Sequence, residues 1–226
     1  MTFLWSGQWR PGDVRYEDLN GDGKVNNGSN TLADPGDMRI IGNSNPRYQF
    51  GISAGFNWKG FDLSMLWNGT AKRDFAFGGD ENIFWGFRNF GQSSIFPTHL
   101  DYFRDQPGDK YSGLKEGDAN LNTGAYWPRP YANVAENNKN RHASTRYLQS
   151  GAFIRLQNLQ VGYRLPQSLS SRLKLQNVRA YLSAENLVTI TKLPKGIDPV
   201  ATYSDWGVGK TYGADRMVAF GLSLSY

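Results

Sequence analysis

The sequence predicts an all-β protein: antiparallel strands that cross a membrane as one sector of a transmembrane β-barrel, with long loops at one end and short turns at the other. Three observations predict this. Several segments alternate strictly in polarity with a period of two. The connections between them are alternately very short and very long, as in outer-membrane barrels. The closing stretch, Arg216 to Tyr226, alternates throughout and ends on an aromatic ring.

The first clear strand is Tyr48 to Trp58, with Tyr48, Phe50, Ile52, Ala54, Phe56 and Trp58 on one face and Gln49, Gly51, Ser53, Gly55 and Asn57 on the other. After Lys59-Gly60 the pattern resumes with Phe61, Leu63, Met65 and Trp67 against Asp62, Ser64 and Asn68. A two-residue link of this kind reads as a tight hairpin. A third strand covers Ala152 to Leu165, where Leu159, Val161, Tyr163 and Leu165 are phased differently from Ile154 and Leu156, so a bulge is expected near Gln157. A fourth spans Val178 to Ile190, and the last has Val218, Phe220, Leu222, Leu224 and Tyr226 facing one way. Phe3 to Ser6 reads as the stub of one further strand.

Three long segments separate these strands, at about 8–46, 72–147 and 191–215. Structureless connections of such length are uncommon in compact soluble domains. If Lys59-Gly60 is periplasmic, strand parity puts all three outside and Pro166 to Asn177 on the periplasmic side. Trp58, Phe61 and Tyr226 then form part of an aromatic girdle at the periplasmic interface. A soluble antiparallel sandwich also produces alternating strands, so a soluble carbohydrate-binding β-sandwich module is the alternative. Loop asymmetry, the small or polar second face and the terminal aromatic favour the barrel. Five or six strands cannot close a channel-sized barrel, so the chain is expected to be part of a larger one.

Composition excludes several classes. Hydrophobic residues are 39% and aromatics 14% of the chain, with 26 glycines, a mixture that suits short strands and turns better than helices. Without cysteine there is neither a disulfide framework nor a thiolate metal site. No apolar run is long enough for a transmembrane helix, which says nothing against a barrel. Met1 to Arg10 lacks the basic and apolar regions of a secretory signal. The net charge of +5 comes from basic residues scattered among acidic ones, so no nucleic-acid partner is expected.

The residues also carry a resemblance to the SusC/RagA family of TonB-dependent outer-membrane transporters. It rests on Pro11-Gly12-Asp13-Val14-Arg15-Tyr16, Asp18-Leu19-Asn20-Gly21-Asp22-Gly23-Lys24-Val25 and Asp37-Met38-Arg39-Ile40-Ile41-Gly42-Asn43-Ser44-Asn45-Pro46. Phe50 to Leu63, Ser144-Thr145-Arg146-Tyr147-Leu148, Tyr163-Arg164-Leu165-Pro166, Glu185-Asn186-Leu187 and the closing strand follow in the order found at that family's C-terminus. The resemblance implies a 22-stranded barrel in the outer membrane of a Gram-negative bacterium, with residues 1–226 supplying its last five or six strands and no plug domain. It further implies import of oligosaccharides or peptides, driven by TonB through the plug, with a SusD-like surface lipoprotein over the external mouth. A chain of this extent is not expected to transport by itself.

Two sets of candidate site residues emerge. Asp18, Asn20 and Asp22 occupy positions one, three and five of a D-x-N-x-D-G loop, with the Lys24 carbonyl at seven, a spacing that directs oxygen ligands at one calcium ion. Position twelve is Ser29, so Asp37, beyond an insertion, is the candidate closing ligand. The ion would brace a loop; a polar Asx-rich turn without an ion fits the same residues. The second set is aromatic: Trp85, Trp127, Tyr203 and Trp206 in the long loops are candidates to stack on sugar rings or pack against peptide side chains. His99 and His142 stand apart, and the loop carboxylates fix no catalytic pair, so no enzymatic activity is expected. Asp62, Arg164, Arg179 and Glu185 fall on the lumen face, where paired charges across strands are expected.

Overall fold

The computed structural model describes residues 2–3, 8–77, 95–105, 121–131, 136, 138–203 and 213–226. Its strands, in chain order, are β1 (Thr2–Phe3), β2 (Lys24–Val25), β3 (Tyr48–Trp58), β4 (Phe61–Ala71), β5 (Asp74–Ala76), β6 (Leu148–Ser150), β7 (Phe153–Arg164), β8 (Asn177–Thr191) and β9 (Met217–Ser225). Strands β3, β4, β7, β8 and β9 form one five-stranded sheet in that order, antiparallel throughout. The fold is therefore all-β and antiparallel. Of the stub predicted at Phe3 to Ser6 only Phe3 lies among the described residues, and there Thr2–Phe3 pairs in parallel with Lys24–Val25.

The hairpin between β3 and β4 follows from its turn residues. Lys59 and Gly60 both have positive φ, 46° and 88°, the conformation that matches the right-handed twist of the flanking strands. Register then carries one apolar face across the whole sheet. Phe56 pairs with Leu63, Leu63 with Val161, Val161 with Leu182, and Leu182 with Phe220. Two rows higher on the same face, Ile52 meets Trp67, Trp67 meets Leu156, and Leu156 meets Val188.

That face keeps its phase because of the predicted bulge. Register shifts between Leu156 and Asn158 leave Gln157 outside the pairing with both neighbours. The partner strand answers it: Glu185 pairs with Asn158 and Val188 with Leu156, so Asn186 and Leu187 stand opposite Gln157 alone. Asn186 has a φ of 52° and donates from Nδ2 to the Asp215 carbonyl at 3.1 Å. Asn is among the few residues that tolerate this left-handed conformation.

The apolar face is uncovered even on interior strands, with Leu182 of β8 53% exposed and Val161 of β7 43%. Exposure at an edge strand has a trivial cause; exposure here means that, among the described residues, no second layer covers this part of the face. The buried core lies elsewhere. Its main cluster is Val14, Phe75, Phe77, Trp127, Tyr147, Leu193 and Ile197, none of which belongs to the five-stranded sheet. The three long segments carry these residues, so the loops form a packed layer of their own at one end of the strands.

Candidate functional site

The centre of the loop layer is Trp127. Its ring stacks on Tyr147 with centroids 5.5 Å apart and planes 11° from parallel, and lies 5.3 Å from Phe77 and 5.0 Å from His99. Its indole N–H donates to Thr98 Oγ1 at 3.1 Å. At 1% exposure Trp127 presents no ring face to a ligand, so the stacking role expected of it is replaced by a core role. The reason is amphipathic: a buried indole is tolerated because its one polar atom finds an acceptor. Burial also pushes the Tyr147 hydroxyl up to about 12 and raises that of Tyr16.

A buried polar node ties the start of the chain to the end of the second long segment. Lys139 is fully enclosed, and its Nζ donates to Asp13 Oδ2 at 2.8 Å, Glu136 Oε2 at 2.8 Å and the Gln8 carbonyl at 2.6 Å. The neighbouring Asn140 accepts the Val14 amide and donates to Asp13 Oδ1, both at 2.8 Å. Tyr131 adds a third donor to Asp13 at 2.9 Å; burial and this acceptor raise the pKa of its hydroxyl. A lysine can be buried here only because its donors are all spoken for. Sequence reading assigned Asp13 to a motif without a role, because its partner lies over a hundred residues away.

The loop proposed for calcium folds as a ladder of Asx turns. Asp18 accepts the amides of Gly21 at 2.7 Å and Gly23 at 2.8 Å, Asn20 accepts Asp22 N–H, and Asp22 accepts Lys24 N–H. Asp37 does close the loop, as its spacing suggested, but onto backbone: its two oxygens accept Leu19 and Asn26 amides, each at 2.7 Å. The Asn26 amide chiefly, with Leu19 and Asn20, holds the Asp37 carboxyl below the usual range. Among the described residues no three carboxylate or imidazole groups converge as a metal cluster. The arrangement is the one that Asx-rich loops adopt unaided.

Tyr203 is partly exposed, yet its ring is capped: the Arg73 guanidinium sits 3.8 Å from its centroid, and its hydroxyl donates to Thr70 Oγ1 at 2.9 Å. Buried Arg73 also donates to Thr202 Oγ1, the Thr202 carbonyl and the Ser44 carbonyl. Burial lowers its pKa. Arg155, on the polar face of β7, pairs with Asp198 at 2.6 Å. Together the two arginines pin the third long segment to the sheet. Burial opposes the charge on Asp198, but the amides of Ala214 and Val200 and the Arg155 guanidinium outweigh it and hold its pKa low. Trp85 and Trp206 lie outside the described residues.

Two concavities among the described residues bear on function. The larger, about 840 Å³, opens in the loop layer between the first long segment and residues 123–128 and 142–147. Arg15, Glu17, Arg39, Leu19, Met38 and Tyr126 are among its walls, so charges of both signs stand beside aliphatic and thioether groups. The second, about 720 Å³, is bounded largely by the polar side of the sheet, including Ser53, Ser64, Asn158, Gln160, Tyr181 and Glu185. On that side the expected charge pairing is present for Asp62 and Arg179, whose guanidinium also reaches Gln160 Oε1 at 2.9 Å. It crosses Gly162, where an added Cβ would stand only 2.5 Å from Arg179 Nη2. Tyr181 likewise lies over Gly221.

No family model matches the chain. Over its whole length it is 28% identical to TonB-dependent receptor P3 of Formosa agariphila. In sequence the chain thus resembles a TonB-dependent receptor from end to end. A second receptor of that organism, TonB-dependent receptor P39, is 26% identical over 197 residues, or 84% of the chain. The chain spans only 20% and 16% of the lengths of these relatives. Among solved structures, that of the RagAB peptide transporter superposes with a TM-score of 0.49 and 23% identity, covering 84% of this chain and 18% of that one. The similarity to these receptors runs through the segments that carry the ordered motifs. Its relatives are receptors and not enzymes.

Proposed function

We propose that this TonB-dependent receptor segment forms the closing strands of a 22-stranded outer-membrane barrel, with the three long segments on the extracellular side. One observation carries the reading: an apolar face that runs in register across five strands and is exposed at Val161 and Leu182 of interior strands as well as at the edges, with a polar face opposite it. An apolar surface of this extent is stable against lipid and not against water. Five strands cannot close on themselves at channel size, so residues 1–226 would act within a longer barrel with a plug, TonB reaching it through that plug.

The whole receptor would import large nutrients, oligosaccharides or peptides, together with a SusD-like lipoprotein docked on the loop layer. Of the two substrate classes, peptides suit the loop cleft better. Its mixed charges and its Leu19 and Met38 side chains match backbone, side-chain and terminal groups of a peptide, while the aromatic platform a sugar would need at Trp127 is buried. Calcium at Asp18, Asn20, Asp22, the Lys24 carbonyl and Asp37 enters only as a brace of the first long segment. It is supported by their spacing and by the closure at Asp37.

The deciding experiment is solubility. The chain should need detergent or bilayer to stay monodisperse while keeping its β-sheet signal. A folded monomer in plain buffer that binds glycans would establish the soluble sandwich instead.

A further inference from the structure

The link between β7 and β8 is the least explained part of the strand ends. It forms a helical turn, Gln167–Ser170, continued by a tighter turn, Ser171–Leu173, and is clamped to the sheet by Leu165 N–H to the Val178 carbonyl at 2.9 Å and Gln176 N–H to the Ser225 carbonyl at 2.8 Å. Within it Ser170 is buried, whereas Leu169 and Leu173 are 47% and 60% exposed. Four residues apart on a helical turn, the two leucines share one side. Nothing in the described residues covers them.

Charge at this end is one-sided. The stretches Trp58 to Asp62 and Tyr163 to Arg179 hold five basic residues, Lys59, Arg164, Arg172, Lys174 and Arg179, against one carboxylate, Asp62. Asp62 is taken by Arg179. Lys59, Arg172 and Lys174 are exposed, beside the exposed rings of Trp58 and Phe61 in the neighbouring turn, with Lys59 Nζ 5.0 Å from the Trp58 ring. Exposed leucines and rings flanked by cations are the composition of a surface that lies in a membrane interface, its apolar groups in the acyl boundary and its cations at phosphates.

We propose that the Gln167–Leu173 turn and the Lys59-Gly60 hairpin together form an interfacial anchor for anionic phospholipid headgroups of the periplasmic leaflet. Leu169 and Leu173 insert, and Lys59, Arg172 and Lys174 contact phosphate. Two observations select a lipid over a protein partner: the exposed rings of Trp58 and Phe61 at this end belong to the apolar face of the sheet, and the charge of the surface complements an anionic headgroup. The inference rests on the orientation given under the proposed function.

The test uses the intact receptor that contains this chain, extracted from membranes of phosphatidylethanolamine and phosphatidylglycerol and examined for retained lipid by native mass spectrometry. The variant Lys59→Asn, Arg172→Gln, Lys174→Asn removes three charges, and asparagine suits the positive φ of 46° at Lys59 and 58° at Lys174, so both turns are kept. Phosphatidylglycerol should be enriched on the wild type, and this enrichment should fall at least about tenfold in the variant, with phosphatidylethanolamine unchanged. Equal retention by both proteins overturns the proposal. Displacement of phosphatidylglycerol by millimolar inorganic phosphate, with no preference for the diacyl lipid, also overturns it in favour of a soluble phosphate site. Orientation is read separately: a cysteine placed by Ser171→Cys should be shielded from an impermeant maleimide in intact cells. Labelling there sinks the topology itself, whereas shielding with equal lipid retention sinks only the anchor.

Discussion

The sheet and the loop layer of this chain obey opposite burial rules. In the sheet one face leaves a large apolar side chain exposed on every strand, Phe56, Phe61, Val161, Leu182 and Phe220 in turn. In the loop layer Phe77, Trp127 and Tyr147 are buried almost completely, and even a lysine is enclosed by its acceptors. The loop layer thus packs as a water-soluble protein does, whereas the strands leave much of one apolar face open. The proposed barrel accounts for the difference: water drives the loops to pack against one another, and lipid would remove the reason for the strands to do so.

The comparison sharpens with substitutions that should act on one region alone. Trp127→Ala removes the centre of the loop core and should cost about 3–5 kcal/mol there. Limited proteolysis of the loops in the intact receptor should accelerate while the heat-resistant barrel band on a gel stays. Loss of the barrel band would show that the two regions are one cooperative unit. Lys139→Ala should act in the same direction at about 3–5 kcal/mol, because it leaves Asp13 buried and unpaired.

Leu182→Arg probes the other region. In a bilayer midplane it should cost about 2–4 kcal/mol, read from folding titrations into vesicles, whereas an exposed leucine in water would lose almost nothing. A negligible effect would break the contrast at its root. A smaller, pH-dependent effect is expected at the joint between the regions. The pKa of Asp198 is depressed in the folded state. Its stabilisation is therefore fully present above the ordinary carboxylate value, near ~3.9, and is lost as pH falls through the folded value. Protease cutting between residues 192 and 203 should rise below pH ~4 and not between pH 5 and 8, and Asp198→Asn should flatten that profile.

The smallest effect concerns the Asp18 loop. If calcium braces it, a chelator and Asp22→Ala should each raise protease sensitivity between Asp13 and Pro46 severalfold, about the effect of 1 kcal/mol. If the Asx ladder suffices, the chelator will change nothing while Asp22→Ala still loosens the turn at Lys24, whose amide it caps.

Much of the strand layer was legible because local chemistry decides it. The period of two in Tyr48 to Trp58, the Lys59-Gly60 turn and the phase change at Gln157 are each set by residues adjacent in sequence, and each appears where the pattern put it. The second half of the bulge, at Asn186, was not legible, because a one-residue phase slip in one strand does not say how its partner compensates. Loop residues were read correctly as aromatic-rich and misread in role: the sequence shows that Trp127 is a large ring in a long connection, but not that Thr98, His99 and Tyr147 enclose it. Asp37 was singled out as a closing calcium ligand, and the spacing did not show that its carboxylate accepts the Leu19 and Asn26 amides.

By itself, then, the sequence determined the class, the strand spans and which side of each strand is apolar, because alternation is a one-dimensional property of adjacent side chains. Only the tertiary structure decided where the core is. Burial depends on which distant segments meet, as Asp13 meets Lys139 and Arg73 meets Thr202, and these meetings lie in the loop layer and not on the apolar face of the strands.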